Sequence, residues 1–85
     1  LDSTFKALAD PHRRHILTLL KKHDLTVSEI QKHFSFTAAT LSHHLDILKR
    51  ANLVIAEREG QFIRYSLNLS AFEEATQLFF NLFQK

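Results

Sequence analysis

Residues 36–48 read FTAATLSHHLDIL, and this stretch decides the fold. At about 100° per residue, Leu41, Leu45 and Leu48 fall within roughly 60° of one another, the stripe of a helix with one buried side. Thr37 is placed to cap it, and the helix is expected to run to about Ala51. His44 lies at the edge of the leucine stripe, where a hydrogen-bonded structural histidine is expected. Ala39 and His43 point away from it, and Asp46 and Arg50 continue that outer face. Small side chains let a helix lie deep in a groove, Thr and Ser reach bases or phosphates, and Ala touches a thymine methyl. The first turns of the second helix of a helix-turn-helix meet base edges in this way. For the helix alone, a merely solvated polar face is an equal reading.

The flanking sequence narrows the choice. Before the helix, Leu1, Phe5 and Leu8 form one short helical stripe. Asp10-Pro11 gives an N-cap followed by proline at the first helical position. Ile16, Leu17, Leu19 and Leu20 form the apolar side of the helix that follows. Thr26-Val27-Ser28-Glu29 is a capping box, and Val27, Ile30 and Phe34 make the next stripe, leaving a short turn at Ser35-Phe36. After the helix, Leu53-Val54-Ile55-Ala56, a Glu59-Gly60 turn and alternating Ile63, Tyr65 and Leu67 read as a hairpin. Ser70-Ala71-Phe72-Glu73 reads as a second capping box opening the last helix. The expectation is one domain over residues 1–85, mainly α with a small β-hairpin (α+β), in the order ααααββα. Two helices joined by a short turn and followed by a hairpin make a winged helix-turn-helix, with a recognition helix over about 37–51 and a wing over about 53–67.

Composition removes several function classes. The 85 residues include no cysteine, which excludes disulfides, thiolate metal sites and cysteine nucleophiles. A net charge of +2 is mildly basic and by itself weak evidence for a nucleic-acid partner. No run approaches the roughly 18 apolar residues of a membrane span, and nothing resembles a signal peptide, so no membrane insertion and a cytoplasmic, nucleoid-associated location are expected. No Ser-His-Asp set, glycine-rich phosphate loop or metal-hydrolase signature is visible, so no catalytic residue and no cofactor are assigned.

Ala9-Asp10-Pro11-His12-Arg13-Arg14-His15-Ile16-Leu17, Thr40-Leu41-Ser42-His43-His44-Leu45-Asp46-Ile47-Leu48, and Ala51-Asn52-Leu53-Val54 with Glu57-Arg58-Glu59-Gly60-Gln61 and Tyr65-Ser66-Leu67 together resemble the ArsR/SmtB family of bacterial winged helix-turn-helix repressors. The resemblance covers nearly the whole chain and is nearest to the metal-independent autorepressors of that family. It implies a homodimer on a palindromic double-stranded DNA operator, joined through the first and last helices. The candidate DNA contacts are Thr37, Ala39, Thr40, Ser42 and His43 on the helix, and Arg58, Gln61 and Arg64 on the wing. Gln61 departs from the basic residue common in relatives, which suggests weaker wing electrostatics or a different minor-groove preference. Arg13 and Arg14 are phosphate contacts or structural ion-pair partners. The candidate dimer residues are Leu1, Phe5, Leu8, Phe72, Ala75, Leu78, Phe79, Leu82 and Phe83. Independently, a last helix this apolar exceeds what one small domain covers. Its packing on its own core is the competing reading, and Glu73 and Glu74 disfavour an anionic membrane surface.

Many relatives release DNA when metal binds. Where the resemblance places a Cys-Val-Cys site, this chain has Leu25-Thr26-Val27-Ser28-Glu29, with hydroxyls in place of thiolates. The last helix has no histidine for the other family site. His12 and His15 share a helical face but make only two ligands, and His23 and His33 show no ligand spacing, so no metal site is assigned. The releasing signal is then chain abundance, an unidentified protein partner or a small-molecule inducer. A winged-helix module that binds protein instead of DNA is the alternative.

Overall fold

The computed structural model describes residues 2–84. Helix α1 (Asp2–Leu8) leads into α2 (Pro11–Lys22). Strand β1 (Leu25–Thr26), α3 (Val27–Gln31) and α4 (Ala38–Arg50) follow. Strands β2 (Val54–Glu59) and β3 (Phe62–Leu67) form the hairpin, and α5 (Leu69–Leu82) ends the fold.

Helices α2 to α5 each start where a side chain supplies what the backbone lacks. The Asp10 carboxylate accepts from the backbone N–H of His12 and Arg13 at 2.8 and 3.2 Å, with Pro11 behind it. Desolvation pushes the Asp10 carboxyl up, but those two amides outweigh it and hold it below the usual carboxylate range. At α3, Thr26 and Glu29 complete the capping box in both directions. Thr37 caps α4 by accepting from the Thr40 amide at 3.2 Å. At its other end Asn52 takes a left-handed conformation (φ 62°), and the amides of Asn52 and Leu53 return to the carbonyls of Lys49 and Leu48. That is a Schellman ending, with asparagine in the place glycine usually holds.

Three expectations need correction. The order ααααββα omits β1, which pairs antiparallel with β3 through Leu25↔Tyr65 and Thr26↔Arg64 and makes a three-stranded sheet, β1-β3-β2. The third helix ends at Gln31, so Phe34 is not on it, and the turn occupies residues 32–37 rather than Ser35-Phe36 alone. Phe34 packs from that turn, stacked on Phe36 at 4.7 Å. The last helix is capped by Asn68, not Ser70: the Asn68 side chain accepts from the Ala71 amide at 3.3 Å. Asn68 wins because its backbone amide also bonds the Leu53 carbonyl and its side-chain amide the Asn52 carbonyl, which pins it beside the start of β2.

The core joins α2 (Ile16, Leu17, Leu20), α3 (Ile30), α4 (Leu41, Leu45, Leu48) and the base of the sheet (Val54, Tyr65). Ala7 of α1 is fully buried, whereas Phe5 is 43% exposed. No residue of α5 is buried. Among the described residues no helix is long and apolar enough to cross a membrane.

Candidate nucleic-acid interface

On α4, the leucine stripe is buried and Ala39, Ser42 and His43 are exposed on the other side, as the angular reading expects. Thr40 is half-buried, and its hydroxyl lies 3.1 Å from that of Thr37, so both are engaged at the cap. The helix therefore presents two small side chains and one imidazole on its outer face. Asp46 and Arg50 pair at 3.0 Å one turn further along.

His44 is buried, 7% exposed, and its Nδ1 accepts from the Arg13 guanidinium at 3.2 Å. Burial, with the Arg13 charge beside it, holds the His44 imidazole below the usual histidine range, against the opposing pull of Asp10. A neutral ring is also what the bond requires, since a protonated Nδ1 has no lone pair to offer. Arg13 is itself buried. Its Nε donates to the Ala7 carbonyl at 2.9 Å and its Nη2 to the Lys6 carbonyl at 2.8 Å. Arg14 donates to the Leu8 carbonyl at 2.8 Å. Among the described residues neither arginine is in an ion pair. Both satisfy the carbonyls that α1 leaves open at its end, and Arg13 ties that end to α4. The spacing of Arg13, Ile16, Leu17 and Leu20 on one face of α2 is the sequence signal for this burial.

Two further imidazoles pack against the helix-turn-helix turn. His15 meets Phe34 edge-on at 4.8 Å, and His12 meets Phe36 at 5.1 Å. Phe36 lies 5.4 Å from His44, so ring contacts run from α2 through the turn to α4. Among the described residues, no group of three or more His, Asp or Glu is placed to hold a metal ion. The Thr26 hydroxyl serves the capping box, and the Ser28 hydroxyl lies 3.3 Å from it.

On the wing, Gly60 opens a two-residue loop with φ 61°, the conformation such loops favour at that position. Gln61 is exposed at the tip. Arg58 is exposed and, among the described residues, its side chain bonds only the Gly60 carbonyl, at 3.4 Å. Arg64 is held differently. Its Nε bonds Glu59 at 3.0 Å, and its Nη1 lies 3.9 Å from Glu29. The Glu59 hydrogen bond and charge raise the affinity of Arg64 for its proton. The sequence reading missed this bracing, because Glu29 approaches Arg64 only through the pairing of β1 with β3.

The opposite end of the molecule is apolar. Phe79, Phe80 and Leu82 of α5 and Phe83 just after it are between 53% and 78% exposed. Phe5 of α1 meets Phe79 edge-on at 6.5 Å. Leu8, Phe72, Ala75, Phe79, Phe80 and Phe83 line a groove of about 450 Å³. Leu78 is half-buried beside it, and Leu1 lies outside the described residues.

Residues 10–56 match the family described as bacterial regulatory protein, arsR family. The transcriptional repressor SdpR of Bacillus subtilis is 42% identical over 100% of this chain and 94% of its own length. A crystal structure of an ArsR family transcriptional regulator superimposes with a TM-score of 0.89 at 25% identity, covering 95% of this chain and 89% of that one. A homodimeric winged helix-turn-helix DNA-binding domain from Mycobacterium bovis, determined in solution, matches with a TM-score of 0.78 at 28% identity, over 99% of this chain and 81% of the other.

Proposed function

The chain belongs to the arsR family of bacterial regulatory proteins and is a DNA-binding transcriptional repressor, and from that premise we propose that two copies, joined through α1 and α5, place their α4 helices in successive major grooves of a palindromic operator. The observation that carries this reading is the outer face of α4. Ala39, Ser42 and His43 stand exposed opposite a buried leucine stripe, with a wing at one end.

In this reading Ala39, Ser42 and His43 meet base edges. His43 donates to guanine N7 or O6. Thr37 and Thr40 sit at the helix start, where amides and hydroxyls suit a phosphate. Arg58 and Gln61 reach the flanking backbone or minor groove. Arg64 takes part only by exchanging Glu59 for a phosphate, so its loss costs less than that of Arg58. The exposed phenylalanines of α5 and α1 are the supporting feature for the dimer seam.

Selection from a randomised duplex pool tests this. The recovered DNA should contain an inverted repeat with half-sites about 10–10.5 base pairs apart, centre to centre, or a multiple of that spacing. Affinity for it should fall steeply with salt through counterion release. Recovery of no sequence above background would refute the reading and favour a winged-helix module that binds protein.

A further inference from the structure

The wing is poorly equipped to hold DNA by charge. Glu57 and Glu59 offset Arg58 and Arg64, so the hairpin carries no net charge. Arg64 is also committed to acidic neighbours. What the wing tip exposes instead is apolar: Phe62 is 53% exposed and Ile63 38%. Neither belongs to the core, and neither faces the apolar α1 and α5 surface.

These residues line a groove of about 500 Å³ between the wing tip and the helix-turn-helix. Val27 and Ser28 of α3 and Ala38, the first residue of α4, form its other side, with Gln61 at the rim. Beyond Thr26 the chain turns into α3, so among the described residues no strand pairs with the Phe62–Ile63 end of β3 on that side. The groove is thus continuous with the start of the recognition helix at one wall and with the wing at the other.

Duplex geometry then says what lies there. A major groove and the minor groove next to it are separated by one sugar-phosphate strand. A protein with α4 in the first and its wing at the second must pass that strand through the cleft between them. Deoxyribose offers an apolar face, and its phosphates accept from hydroxyl and amide donors. A groove walled by Phe62, Ile63 and Val27, with Ser28 and Gln61 as donors, matches both parts.

We infer that Phe62 is a DNA-contacting residue that packs on the deoxyribose of the strand between α4 and the wing, so that the wing holds DNA by apolar contact more than by charge. This rests on the DNA-binding reading above and deepens it.

The test uses the whole chain and a fluorescein-labelled duplex recovered by the wild-type protein from a randomised pool. Anisotropy titrations are run at several salt concentrations. Phe62→Ala should weaken binding about 25- to 100-fold, as expected for losing an aromatic contact worth about five- to tenfold in each half-site of the proposed dimer. Its dependence of affinity on salt should match that of the wild type, because no phosphate is released. Arg58→Ala should instead flatten the salt slope by about two units, one for each half-site of the proposed dimer. Phe62→Leu should recover most of the affinity. Binding of Phe62→Ala within twofold of wild type would overturn the inference, as would a flattened slope. A melting temperature that falls with affinity in Phe62→Ala, and is restored with it in Phe62→Leu, would make Phe62 a structural residue and overturn it too. Failure of the wild type to recover any DNA would instead strike the function itself.

Discussion

His44→Ala should cost this fold about 2.5–3.5 kcal/mol, and the figure follows from what surrounds the ring. The Arg13 guanidinium loses the acceptor it bonds at 3.2 Å. A hydrogen bond to a charged donor is worth about 1.5–3 kcal/mol. The lower end applies, because the Ala7 and Lys6 carbonyls keep the guanidinium in place. The missing ring also leaves a void beside Phe36 and His12, whose rings lie 5.4 and 5.8 Å away. His12 is exposed and Phe36 half-buried, so the void collapses in part and adds only about 1–2 kcal/mol. A chain of 85 residues has a total stability of about 4–13 kcal/mol. At about 4–8 °C per kcal/mol, the melting temperature should drop by about 10–25 °C. His44→Asn puts an amide oxygen near the position of Nδ1 and should restore about half of the loss. His43→Ala, on the exposed side, should melt like the wild type yet lose about 1–3 kcal/mol at the preferred operator, with relaxed choice at one base pair per half-site. Calorimetry at one fixed chain concentration, paired with operator competition, reads all three. A His44→Ala protein that melts within about 2 °C of wild type, or a His44→Asn protein no better than it, would refute the assigned role of Arg13 and His44.

The same ring gives a pH dependence. Burial holds His44 below the usual histidine range, so its contribution is complete above the unfolded value of about 6.5 and is lost as pH falls through the lower folded value. Melting temperature should therefore decline between about pH 7 and 5 for the wild type and less so for His44→Asn; equal declines would assign the titration to another group. Phe79→Glu, which puts a charge into the apolar seam beside Phe5, should shift sedimentation at micromolar concentration from about twice the chain mass to the chain mass. A wild type that sediments as a single chain would remove the dimer. Operator binding should be unchanged by stoichiometric zinc, copper or arsenite, since the thiolate positions hold Thr26 and Ser28; chelator-reversible release by any of them would contradict this.

Local chemistry was legible in the sequence. Asp10, Thr26 with Glu29, and Thr37 act on backbone within three residues of themselves, and the α4 leucines carry their own period. The features that escaped are those set by distant chain. Strand β1 exists only because Tyr65 and Arg64 come to pair with it. Asn68 outcompetes Ser70 as a cap through bonds to Asn52 and Leu53, which lie in a different element. At the candidate site, the outward turn of His43 was readable from angle alone. The commitment of Arg64 to Glu59 and Glu29 was not, because the wing reading treated its arginines as equals. Arg13 lay between the two cases: its helical spacing marked a buried position, but a cation in a basic run reads first as a phosphate contact.

Helix α5 has consequences for how strongly the gene must be expressed. A helix with no fully buried residue, held to its own core through partly buried Ala71 and Phe72, leaves most of its apolar side to a second copy, so in the proposed dimer assembly and the full packing of α5 are one event. Below the dissociation constant of such a pair, the population able to span two half-sites varies with the square of chain concentration, and a twofold dilution lowers it about fourfold. Cell growth alone, with no ligand and no change in synthesis rate, would then relieve repression faster than it thins the protein. A repressor built this way reads its own abundance as a signal.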